Sequence, residues 1–148
     1  MYKRILVSTD GSKLSLKAIK TATRLAKSLG AAVTGVYVMP EYVPPVYGEA
    51  AIYMPEMSPK KFKEATAKEA AAALAVVAAD AQKAGVTFAG VSVTDAQPWQ
   101  AIVRTAKGKK CDLIVMASHG RRGLSGLLLG SETTKVLTHS KIPVLVCR

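Results

Sequence analysis

Apolar positions along the chain alternate between short runs and longer helical spacings. Arg4 to Thr9 (RILVST) is a brief apolar run of the kind that forms a strand covered on both faces. Asp10-Gly11-Ser12 interrupts it as a turn, with Ser12 placed to cap a helix. From Lys13 to Leu29, Ala18, Ala22, Leu25 and Leu29 recur at helical spacing, with Ile19 and Ala26 alongside, and Gly30 suits the residue just past a helix end. Ala32 to Val38 reads as a second strand. Ser58-Pro59 starts a second helix, Ser as cap and Pro at the first position, which runs to about Ala84 before Gly85. Val86 to Thr94 is a third strand with Gly90 where a bulge fits. Pro98 opens a third helix ending near Lys107-Gly108. Asp112 to Ala117 is a very apolar fourth strand, Ser131 to Ser140 a short helix, and Pro143 to Cys147 (PVLVC) a last strand.

Strands alternating with helices imply an α/β fold: one parallel sheet with right-handed crossovers and helices on both faces. The 148 residues suit one domain, and no internal repeat divides them. Such sheets bind ligands beyond the carboxyl ends of their strands, where the strand order reverses. The residues after strands one and four therefore carry most weight: Ser8-Thr9-Asp10-Gly11, and the segment from Ala117 to Glu132, ASHGRRGLSGLLLGSE.

Composition narrows the picture. Hydrophobic residues make up 49% of the chain, which argues against disorder. The longest nearly pure apolar run, Ala70 to Ala79, is too short to span a bilayer, and the N-terminus lacks a signal-peptide pattern, so a cytoplasmic protein is expected. Cys111 and Cys147 lie far apart without metal-ligand spacing; they read as small buried residues, and no metal site is expected. The net charge of +11 favours anionic partners in general. Lys13, Lys17, Lys20, Arg24 and Lys27 form a stripe on the first helix, but no aromatic residues interleave for base stacking. The stripe reads as a solvated face, and nucleic acid is not the expected partner.

A nucleotide site needs backbone N–H groups aimed at phosphate, a helix N-terminus behind them, and a polar group for base or ribose. Gly120 allows close backbone approach, Gly130 a sharp turn into the last helix, and Ser131 an N-cap whose hydroxyl is free to meet phosphate. Asp10 supplies the polar group. Neither GxxxxGK[ST] nor, after strand one, GxGxxG is present, so generic chemistry leaves two readings open: an anion site, or a surface loop with a capped helix. His119 is placed either to activate water or to order the loop. Arg121 and Arg122 either clamp phosphate or edge a solvated loop. Met39 to Met57, rich in Pro and Tyr, reads equally as a lid, a subunit contact or an idle loop.

The chain resembles the universal stress protein family, whose ATP-binding members carry G-x2-G-x9-G-[ST] after strand four. Ala117-x2-Gly120-x9-Gly130-Ser131 falls in that register with three of four positions matched, and ILVSTDGS near the start and KIPVLV near the end are similar too. The resemblance implies a doubly wound sheet in order 3-2-1-4-5. Asp10 would contact adenine or ribose, with the backbone of Ser8 and Thr9 close by. Val38 would pack on adenine, and Met116 and Ala117 would lie at the adenosine. Gly120, Gly130 and Ser131 would hold phosphates, with the Glu132 backbone completing the cradle. Two positions depart from the pattern. Ala117 replaces glycine, a small obstacle at negative φ and a costly one at positive φ. Glu132 replaces an apolar residue: it suits a helix N-terminus but repels triphosphate unless it points outward or shares a metal.

The resemblance thus implies an adenine-nucleotide-binding protein (ATP or AMP, with Mg2+ accompanying a triphosphate) in a stress-response or regulatory role. It also implies a homodimer through Pro143 to Cys147 and at most slow hydrolysis of ATP. The alternatives are a dimeric interaction protein that binds no nucleotide, and a slow ATPase or phosphotransferase that uses His119.

Overall fold

The computed structural model describes residues 1–44, 58–121, 123 and 129–148. Arg122 and most of the Met39 to Met57 segment, singled out above, lie outside these residues. In chain order the elements are β1 (Arg4–Ser8), α1 (Lys13–Leu29), β2 (Ala32–Met39), α2 (Pro59–Ala84), β3 (Phe88–Thr94), α3 (Pro98–Gly108), β4 (Leu113–Ala117), α4 (Ser131–His139) and β5 (Val144–Cys147). All strand pairs are parallel, in the order β3-β2-β1-β4-β5.

Local chemistry sets the helix ends. The hydroxyls of Ser12 and Ser58 accept from the N–H groups of Ser15 and Lys61, and Pro59 stands in the first turn of α2. Gly30 and Gly85 close α1 and α2 in the left-handed conformation, φ 63° and 69°. The expected bulge at Gly90 is absent. The β2–β3 register is continuous from Val33–Phe88 to Met39–Thr94, with Gly90 opposite Gly35. Space explains Gly35 better: a Cβ there would stand 3.0 Å from the Phe88 ring and 3.3 Å from Leu74 of α2.

The two faces of the sheet bury separate cores. Ile5, Val7, Leu113 and Val115 point toward α1 and Val77 of α2. Leu6, Val36, Ile114 and Met116 point the other way, toward Ile102, Val103 and Ala106 of α3 and Val136 of α4. This alternation within single strands gives the central strands their unbroken apolar runs. Fully burying one of these aliphatic side chains contributes about 1.5–3 kcal/mol. The basic stripe of α1 is exposed throughout. No helix among the described residues is long and apolar enough to cross a membrane. With β1 central and the chain moving outward to either side, the order reverses between β1 and β4, the switch point whose crevice, beyond the carboxyl ends of the strands, is where such sheets bind ligands.

Candidate functional site

Two strand–turn–helix units meet at the crevice. In the β1–α1 turn, three backbone donors find side-chain acceptors within the turn. The buried Thr9 Oγ1 contacts Ser15 Oγ at 3.1 Å and accepts from Gly11 N at 3.2 Å. Asp10 Oδ1 accepts from Ser12 N at 2.9 Å, and Ser12 Oγ from Ser15 N at 3.2 Å. Gly11 sits at φ 78°, which permits this tight path.

The β4–α4 unit is built differently. Ser118 N donates to Cys147 O at 2.7 Å, and Gly130 N donates to Ser118 O at 2.6 Å, cinching the two ends of the intervening loop. Thr133 Oγ1 donates to Ala117 O at 3.0 Å and anchors α4 on the end of β4. Gly130 is the N-cap, and α4 has no side-chain cap hydrogen bond. The expectation that Ser131 caps this helix is corrected. Gly130 adopts the extended cap conformation and accepts the first ladder bond from Thr134 N, which makes Ser131 the first helical residue, with an exposed side chain. Among the described residues no side chain caps the leading N–H groups of α4, which have no intrahelical acceptor.

The reasons for glycine also differ from those expected. Gly130 has φ −72°, a value open to any residue, so it is not needed for a sharp turn. A Cβ there would lie 3.2 Å from His119 Cα and 3.3 Å from Ser118 O. A Cβ on Gly120 would lie 2.5 Å from Asp10 Oδ2. Gly123 packs against the His119 ring, and its N–H donates to Gly120 O at 3.0 Å. Both glycines expected to hold phosphate therefore mark close approach of other groups.

Asp10 joins the two units. Its Oδ2 accepts from Arg121 N at 2.9 Å, which pins the loop after β4 to the turn after β1. A carboxylate retains lone pairs for a further donor. The Arg121 guanidinium lies over Gly11, with Nη1 3.4 Å from Glu69 Oε2 on α2. Tyr37 Oη also approaches Glu69 Oε2 at 3.4 Å. Burial pushes the Tyr37 hydroxyl above its ordinary pKa, with the Arg121 charge pulling the other way, so the phenol is a donor at neutral pH. The Arg121–Glu69 pair is half exposed on both sides, a weak contact that a stronger anion can replace.

The remaining candidates divide. Ser8 is the half-buried last residue of β1. Ala117 is the half-buried last residue of β4, and Lys110 alone among the described non-glycine residues has positive φ, so the methyl of Ala117 brings no backbone strain. Met116 is buried in the core under α3 and α4, with Val38 packed against that core. His119 Nδ1 lies 3.2 Å from Ser118 Oγ, and among the described residues no carboxylate pairs with it, an arrangement that orders the loop. Glu132 turns to α3: Oε2 accepts from Trp99 N at 2.8 Å, and Oε1 is 3.1 Å from Lys135 Nζ. Sequence reasoning passed over Ser118, Thr133, Glu69 and Tyr37. Only Thr133 carried a signal, a hydroxyl three residues before Val136 on the inward face of α4.

A model of the universal stress protein family matches residues 1–148. Universal stress protein MJ0531 of Methanocaldococcus jannaschii is 37% identical over 148 residues, covering 100% of this chain and 83% of that one. Universal stress protein YxiE of Bacillus subtilis is 34% identical over 149 residues, covering 100% of each. Among solved structures, MJ0577 of Methanocaldococcus jannaschii aligns with a TM-score of 0.81 at 28% identity, covering 99% of this chain and 96% of that one. A universal stress protein solved in complex with cAMP aligns with a TM-score of 0.72 at 27% identity, covering 99% and 97%. With the family model spanning its whole length and the strand order in agreement, the chain belongs to the universal stress protein family.

Proposed function

We propose that the chain, as one domain over residues 1–148, binds an adenine nucleotide in the crevice beyond β1 and β4, in a regulatory role within a stress response. The observation that carries this reading is the first turn of α4, which no side chain among the described residues caps. A helix start that no described side chain caps, beside two glycines whose Cβ positions are already crowded, supports an anion cradle. Gly120, Gly130, Ser131 and the Glu132 backbone hold phosphate. Asp10, Val38 and the strand ends at Ser8, Thr9, Met116 and Ala117 receive adenosine. The family member solved with cAMP supports the adenine class. ATP or AMP is the ligand to test, with Mg2+ for the triphosphate.

Titration calorimetry with ATP, AMP and cAMP, with and without Mg2+, tests this. Saturable heat is expected from at least one, together with a rise in Tm: a ligand at 100 times its Kd stabilises by about 2.7 kcal/mol. No heat and no thermal shift at millimolar nucleotide overturns the reading. Hydrolysis should be slow and unaffected by His119→Ala, because the imidazole has no orienting carboxylate among the described residues.

Homodimerisation through Pro143 to Cys147 belongs to the same proposal. β5 is an edge strand with Leu145 38% exposed, and an apolar edge is a pairing surface. Light scattering should give a dimer that Leu145→Glu converts to monomer.

A further inference from the structure

Glu132 lies within the first turn of α4, whose N–H groups no side chain among the described residues caps. Its carboxylate is fixed there by contacts to Trp99 N and Lys135 Nζ. The reason lies in α3, whose own N-cap residue, Gln97, makes no cap bond and instead accepts from Trp99 Nε1 and Gln100 Nε2. One carboxylate therefore caps α3 and stands at the positive end of α4.

We infer that Glu132 determines which phosphate charge the site accepts, admitting an adenine nucleotide of low charge, a monophosphate or cyclic monophosphate, in preference to a triphosphate. This inference rests on the nucleotide reading above. The residue that carries the carboxylate lies within one helical pitch, about 5.4 Å along the axis, of the N–H groups proposed to hold phosphate. That is shorter than the screening length of about 8 Å at physiological salt, so ions in solution leave much of the repulsion in place. Repulsion grows with each added phosphate charge, while the hydrogen bonds from the cradle to the first phosphate do not. Lys135 offsets the carboxylate only in part, since the side chains of the pair are 47% and 36% exposed. A fixed like charge is the repulsive element by which a site rejects a competing ligand.

The test is calorimetric Kd measurement for ATP, AMP and cAMP without divalent cations, on the wild type, Glu132→Gln and Lys135→Ala. Wild type should bind AMP or cAMP at least about tenfold tighter than ATP, a difference of about 1.4 kcal/mol. Glu132→Gln should shrink that ratio several-fold by tightening ATP, and Lys135→Ala should widen it by unmasking the carboxylate. Glutamine keeps an oxygen for Trp99 N–H, so fluorescence of the single tryptophan and Tm should stay near wild type. An ATP-to-AMP ratio that is equal in wild type and Glu132→Gln overturns the inference and leaves nucleotide binding standing. No binding of any of the three nucleotides by either protein overturns both.

Discussion

The β1–α1 and β4–α4 units occupy equivalent positions at the switch point, each a strand followed by a turn and a helix N-terminus. Their chemistry is opposite. The first is rich in short oxygen-bearing side chains, and these consume its donors: Thr9, Asp10 and Ser12 accept from Gly11, Ser12 and Ser15. The second places glycine at the cap, and no side chain among the described residues caps its first turn. Polar residues beside a helix start thus build structure by competing for the N–H groups that an anion would need. A glycine at the same position makes no such demand. The residue types that look most suited to binding are, at β1–α1, the ones that close the turn, and the proposed phosphate donors belong to the barer unit.

Gly130→Val challenges this contrast most severely. Its side chain would be driven into the His119 backbone and the Ser118 carbonyl, across the cradle. Nucleotide affinity should fall beyond detection, about a hundredfold or more, while overpacking destabilises the fold by about 1–3 kcal/mol. Calorimetry paired with thermal melting separates the two effects, and wild-type affinity in this variant would remove α4 from the site. Asp10→Ala comes next. It leaves Ser12 N and Arg121 N without their acceptor and unties the two units. A loss of about 1–3 kcal/mol is expected in urea unfolding, with weaker nucleotide binding because the loop after β4 is no longer held. Asp10→Asn keeps an amide oxygen for one of the two donors and should fall between the alanine variant and wild type in both measurements.

The element order and the helix ends at Ser12, Gly30, Ser58 and Gly85 were legible because each depends on residues within a few positions of one another. The strand order required the family resemblance, since apolar runs do not say which strands are neighbours. Within the site, Asp10 and Gly120 could be picked out separately, but the reason for both is one contact between residues 111 positions apart, Arg121 N to Asp10 Oδ2. Gly130 was identified for the wrong physical cause, because crowding by His119 and Ser118 is invisible until the loop closes. Glu132 was recognised as a departure, yet its partner, the bare N-terminus of α3, is a tertiary fact. Arg121 gave no sign that it would reach Glu69 on the far side of the crevice.

Ser12→Ala should have the smallest effect and is the most discriminating for the contrast. It removes the cap of α1, whose only local acceptor for Ser15 N is the Ser12 hydroxyl. The expected cost is about 1 kcal/mol, seen as a lower urea midpoint at unchanged slope. If β1–α1 is the structural unit and β4–α4 the binding unit, this loss leaves nucleotide Kd unaltered, because the donors it frees lie behind Asp10, whose two oxygens still hold Ser12 N and Arg121 N. A several-fold tightening of binding would mean instead that uncapping α1 created a second anion-accepting turn, and the two units would then differ by one hydroxyl. A several-fold weakening would mean that the α1 cap positions Asp10 for the ligand, and the division between a closed and an open unit would give way to a single coupled site.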